Sequence, residues 1–125
     1  MTVDAVLDAS TLIDALLGGA GELPDGRFHA HAGLDIEVLA VLRRKVLRGV
    51  LPAHGARELL DEFLQLDIER HPLRDLLPRI WAMPHDISAY DAGYVALAEA
   101  LGEPLVTLDR KLATTAQRYC EVIIP

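Results

Sequence analysis

The sequence predicts an α/β protein, a three-layer α/β/α sandwich on a mostly parallel sheet, as one domain over residues 1–125. Three observations predict it. Short apolar runs such as Ala5-Val6-Leu7, Leu105-Val106 and Val122-Ile123-Ile124 alternate with longer segments of helical period, the pattern of repeated β-α units. The first two of these runs lead into an aspartate, Asp8 and Asp109, just where a helix begins. A chain of 125 residues, 51% hydrophobic, is long enough for one good core and too short for two.

The first strand is expected over Val3–Leu7. Thr11 to Leu17 follows as a helix, with Leu12, Ile13, Leu16 and Leu17 at helical spacing, and stops at Gly18-Gly19. Residues 18–27, GGAGELPDGR, read as loop because Gly and Pro interrupt every period. Leu34 to Arg48 supports a helix closed by Gly49, and Pro52 opens another whose apolar side carries Leu59, Leu60, Phe63 and Leu64. A short strand is expected in LDIERHP, residues 66–72, then a helix over Pro72–Met83 broken by Pro84. Ser88 to Leu101 is the clearest helix, capped by Ser88 with Asp91 three residues on and closed by Gly102. PLVTLD, residues 104–109, is a second apolar strand, followed by a helix from Arg110 to about Tyr119 and a last strand in CEVII. Cys120, the single cysteine, has no intramolecular partner and reads as a buried structural thiol in that strand.

Nineteen acidic against twelve basic residues give a formal charge of −7, which argues against non-specific coating of nucleic acid. It leaves open a phosphodiester substrate if several acids are committed to cations. No run of 18 apolar residues is present and Met1-Thr2-Val3-Asp4 lacks a cationic leader, so a cytoplasmic protein without a membrane segment is expected.

Ligands of open parallel sheets sit outside the carboxyl ends of the strands, the position of Asp8 and Asp109. Each also suits helix N-capping. Asp91 shares a helical stripe with Val95 and Ala98, away from Glu99 and Glu103, so it begins a stripe aimed at the core; complementing the helix dipole explains only its place in the first turn. Glu37 opens LDIEVLAVLRRKVLR, a segment apolar around most of its circumference, and shares a narrow polar stripe with Arg44 and Arg48; a solvated face is the competing explanation. If the four acids converge, two carboxylates about 4 Å apart repel by about 1 kcal/mol in water and roughly 4 at an effective dielectric near 20. Either some carboxyls take up protons or cations sit among them. Oxygen ligands without Cys or His favour Mg²⁺ or Mn²⁺. His29 and His31 raise a zinc reading, but no cysteine and no third clustered histidine stands with them in the sequence. Arg44, Arg48, Arg110 and Lys111 are the candidates for contacting a phosphate backbone.

VLDASTLID at residues 6–14, LDIEVLAVLRR at 34–44 and ISAYDAGYVALAEALGEPLVTLDRKLA at 87–113 together resemble the PIN-domain ribonucleases, and within them the VapC toxins of bacterial toxin–antitoxin pairs. The resemblance extends over nearly the whole chain, and the last segment is its most specific part. It implies a metal-binding acidic quartet at Asp8, Glu37, Asp91 and Asp109, with Ser10 and Thr107 as hydroxyl groups beside it. It further implies a Mg²⁺- or Mn²⁺-dependent endoribonuclease that cleaves structured cellular RNA, forms a homodimer and is inhibited by a cognate VapB-type antitoxin. One departure stands in HAHAGLDIE, where His31 and Gly33 replace the expected proline or larger apolar residues.

Two other readings compete. A phosphoacceptor signalling domain would need adjacent acids after the first strand and an acceptor Asp after a middle one, and Asp8 has no acidic neighbour. A PIN-like binding module with a weak site would act through its partner surface alone.

Overall fold

An apolar run with no polar face belongs in the middle of a sheet, and the wholly buried strand β1 (Ala5–Leu7) takes that place in the computed structural model, which describes residues 4–19, 21 and 23–125. Val3, the expected start of this strand, lies outside the described residues. Strands β2 (Phe28–His31), β3 (Ile68–His71), β4 (Leu105–Val106) and β5 (Val122–Ile123) complete a five-stranded sheet in the order β3-β2-β1-β4-β5. Every neighbouring pair is parallel.

The helices are α1 (Ala9–Leu16), α2 (Leu34–Leu47), α3 (Ala53–Leu64), α4 (Leu77–Ala82), α5 (Ala89–Leu101) and α6 (Arg110–Ala116). From β1 the chain steps outward to β2 and β3, then returns across the sheet to β4 and β5. Right-handed crossovers then put α1–α3 on one face and α4–α6 on the other. Contacts agree, for α1, α2 and α3 pack on one another while α5 lies on β1, β2 and β4 with α4 against it. Among the described residues no helix is long and apolar enough to cross a membrane.

The expected bounds of α2 and α5 hold to within one residue, and α5 carries a signal at each end. Ser88 Oγ accepts from the Asp91 amide, and Gly102 ends α5 in the left-handed conformation at φ 65°, where any side chain would be strained. Every residue from Ala92 to Ala98 is buried, so α5 is a core helix closed in on all sides rather than an amphipathic one. Leu59 and Phe63 of α3 enter the core, whereas Leu64 stays exposed.

Several expectations change, and α1 begins at Ala9 rather than Thr11. Residues 28–31 form a strand that the sequence hid, because FHAH presents its inward positions as histidines. The helix expected over 72–83 is a 3₁₀ turn, Arg74–Leu76, and the short α4; Pro78 lacks an N–H and suits only a first turn. α6 stops at Ala116, and bonds from Arg118 to Thr115 and from Tyr119 to Ala116 tighten the chain into a turn. Cys120 therefore precedes β5, half-buried, with its thiol 3.5 Å from the Ala116 carbonyl.

Candidate active site at the switch point of the sheet

Between β1 and β4 the strand order reverses, and ligands of open parallel sheets sit outside the carboxyl ends of the strands at such a point. The register pairs Val6 with Leu105 and Leu7 with Val106, so the next step brings Asp8 beside Thr107. Thr107 Oγ1 donates to Asp8 Oδ2 at 2.7 Å across 99 positions of sequence. Asp8 Oδ1 accepts the Thr11 amide at 2.9 Å, capping α1. Thr11 Oγ1 in turn accepts the Leu108 amide at 3.0 Å, and Thr107 Oγ1 accepts the Asp109 amide at 3.1 Å. These bonds lock the two strand ends together. Asp109 caps α6 through Oδ1, which accepts the Leu112 amide at 3.1 Å.

Both aspartates are thus helix caps, yet capping leaves them at neighbouring strand ends, close enough for the charge of Asp109 to bear on Asp8. Asp91, in the first turn of α5, and Glu37, in the first turn of α2, reach the same place from opposite layers. Burial pushes the Asp8 carboxyl above its usual range, against the hydrogen bonds from Thr11 and Thr107, and the charge of Asp109 adds to the rise. Glu37 is pushed up to about 7, first by burial and then by the charges of Asp91 and Asp8, with Tyr94 and Arg44 opposing. Burial also raises Asp91, assisted by Asp8 and Asp109. The four carboxyls share one field.

The quartet is open, however. Among the described residues only a different group brings three potential ligand atoms within 4.8 Å of one another, so no three of these four acids do so. For Asp8, Glu37 and Asp91 withdrawal from water outweighs repulsion between carboxylates.

Around the acids the structure supplies partners that the sequence did not single out. Tyr94 Oη donates to Glu37 Oε1 at 3.1 Å, and burial together with that carboxylate pushes the phenol's pKa up, keeping the hydroxyl a donor. Its spacing from Asp91 put it on the same helical face, but a tyrosine in an apolar helix reads as core. Thr11 rather than Ser10 anchors Asp8; Ser10 is exposed and lines a polar cleft of about 270 Å³ with Arg44, Lys45 and Arg48. Arg44 and Arg48 thus share one basic wall, to which Lys45 is added. Arg110 and Lys111 are exposed, and Lys111 Nζ donates to the Asp86 carbonyl at 3.3 Å.

His31 and Gly33 have a packing explanation. The fully buried His31 ring lies 4.0 Å from the Tyr94 ring, accepts the Gly33 amide at Nδ1 and reaches the Tyr90 carbonyl from Nε2. A Cβ on Gly33 would come within 2.8 Å of this ring, and one on Gly93 within 3.0 Å. Glycine to alanine inside a helix ordinarily stabilises by about 0.5–1 kcal/mol. Gly93→Ala is expected to do the reverse, costing about 1–2 kcal/mol in urea unfolding because His31 must shift against Tyr94; a more stable variant would show that the notch is loose.

Ribonuclease VapC9 of Mycobacterium tuberculosis is 41% identical over 122 residues, covering 95% of this chain and 96% of that protein. Ribonuclease VapC1 of the same organism is 39% identical over 127 residues, and ribonuclease VapC12 34% over 123; each alignment covers at least 94% of both chains. No protein-family model matches the chain. Among solved structures, PAE2754 from Pyrobaculum aerophilum superposes with a TM-score of 0.71 at 22% identity, over 96% of this chain and 83% of that one, a likeness of fold.

Proposed function

This chain belongs to the VapC ribonuclease family and has a PIN-like α/β/α sandwich fold, and from that premise we propose that it is a metal-dependent endoribonuclease toxin cleaving structured cellular RNA. The observation that supports the proposal is that the four carboxyls lie within one another's field, three of them raised by burial and by neighbouring carboxylate charge. A phosphoacceptor domain is set aside by the family membership.

The donor set fits a hard divalent cation, Mg²⁺ or Mn²⁺. All four side chains offer oxygen, and Asp109 has one carboxylate oxygen outside its capping bond. The open spacing suits Mg²⁺, which keeps several waters and takes few carboxylates directly. Asp8, Glu37, Asp91 and Asp109 would hold the ion. When bound, it supplies Lewis acidity, a water of lowered pKa and charge stabilisation for the leaving oxygen. Thr107 and Thr11 orient Asp8. Tyr94 occupies Glu37 Oε1 and leaves Oε2 outside that bond. Arg44, Arg48 and Lys45 outnumber the one acid, Asp14, in a cleft suited to flanking phosphates, with Arg110 and Lys111 exposed just after Asp109.

Partners follow the same reading. A groove of about 590 Å³ between α2 and α3, lined by Leu39, Leu42, Val46, Leu47 and Leu60, suits an apolar antitoxin segment of VapB type. The exposed Leu77 and Trp81 of α4 suit a homodimer contact.

Cleavage of a structured RNA by the purified chain tests the proposal. Chelator is expected to stop it and added Mn²⁺ or Mg²⁺ to restore it. Cleavage that persists in chelator removes the metal; no cleavage in either ion favours the binding-module reading.

A further inference from the structure

Because β2 and β3 pair in parallel, His29 stands opposite Glu69 and His31 opposite His71. Side chains alternate along a strand, so His29, Glu69 and His71 rise from the same face of the sheet. Their ligand atoms converge. His29 Nδ1 lies 2.9 Å from His71 Nε2 and 3.6 Å from Glu69 Oε2, and one ligand atom of each residue lies within 4.8 Å of the others. Tetrahedral Zn²⁺, with bonds of about 2.0–2.1 Å, needs ligand atoms about 3.3 Å apart. The two observed spacings fall on either side of that value, so small side-chain rotations close the site.

We propose that His29, His71 and Glu69 form a Zn²⁺ site at the β2–β3 edge of the sheet, distinct from the acidic quartet and of different metal preference. Two imidazoles and a carboxylate are a zinc donor set, with the fourth position left for water. The third histidine that the sequence lacked near His29 and His31 arrives from β3, and His31 itself is engaged elsewhere, with Gly33 and Tyr90.

A second observation, independent of the triad, points the same way. Asp4 Oδ2 stands 3.5 Å from His29 Nε2, on the far side of the ring. A carboxylate behind an imidazole holds the proton on that nitrogen and turns the other lone pair toward the metal. With the Nε2 proton facing Asp4, His29 Nδ1 is an acceptor and His71 Nε2 donates the 2.9 Å bond. As a Zn²⁺ ligand through Nε2, His71 would carry its ring proton on Nδ1. His29 is buried while Glu69 is half-exposed, which gives the ion a route from solvent. Arg27 Nη1, 3.3 Å from Glu69 Oε2, is exposed and must swing away. The bound ion would staple β2 to the edge strand β3, with Asp4 at the start of β1 behind it.

Calorimetric titration of the chelator-treated chain with Zn²⁺, under saturating Mg²⁺ to occupy the acidic quartet, tests this. One Zn²⁺ per chain is expected, with a rise in melting temperature. His71→Asn should weaken Zn²⁺ binding at least about 100-fold and Asp4→Asn about 10–100-fold, both keeping Mg²⁺ binding. If His71→Asn fails to fold by circular dichroism, Glu69→Gln, half-exposed, takes its place. A wild-type chain that takes up no Zn²⁺ under Mg²⁺, or a folded variant that binds it equally well, overturns the site. Loss of Mg²⁺ binding with Zn²⁺ uptake intact would count against the nuclease proposal alone.

Discussion

Asp8→Asn is expected to lower RNA cleavage at least about 100-fold in a chain that still folds, since even partners standing behind metal ligands cost 10–100-fold when removed. The fold should survive because asparagine caps helices as well as aspartate, so the carbonyl oxygen can keep the Thr11 amide. Thr107 Oγ1 then loses the acceptor it now has at 2.7 Å and must receive the new amide instead. That exchange costs about 1 kcal/mol, and relief of a buried charge offsets it. Stability within about 1 kcal/mol of wild type by urea unfolding, with cleavage gone, is the expected pair of results. Undiminished cleavage would remove Asp8 from the chemistry and the nuclease proposal with it.

Glu37→Gln should stabilise the metal-free chain more at pH 8 than at pH 5. The folded carboxyl is raised from 4.5 to about 7. A raised carboxyl contributes stability fully below its unfolded pKa, and that contribution disappears as pH climbs through the folded one. For this partly buried group, screened by solvent, the loss is about 1–2 kcal/mol between pH 4.5 and 8. His31 works in the opposite sense, since burial lowers its pKa and folding then favours pH above 6.5. Subtracting the Glu37→Gln curve from that of the wild type cancels this contribution. The substituted amide oxygen can still accept from Tyr94, so the difference isolates the charge. Mn²⁺ should reverse the order at pH 8, because the ion selects the deprotonated carboxylate. Parallel curves for the two chains would mean that Glu37 ionises as freely as an exposed glutamate.

Legibility in the sequence followed locality. Ser88 and Gly102 announced both ends of α5, and Asp8 and Asp109 announced the strand ends, because each acts on backbone groups within a few residues. Strand β2 was hidden because its inward side chains, His29 and His31, gain their partners from β3 and α5. Tyr94 gives no local signal for the same reason, its carboxylate partner lying 57 positions away in α2.

Composition, capping residues and apolar periods by themselves determined an α/β chain with acids at the mouths of two strands, for these depend on interactions of short range. Only the tertiary structure decided that β1 and β4 lie side by side, bonding Thr107 to Asp8, and that His71 meets His29. Strand order and register are set by non-local burial of whole faces, and a linear pattern carries no record of which faces meet.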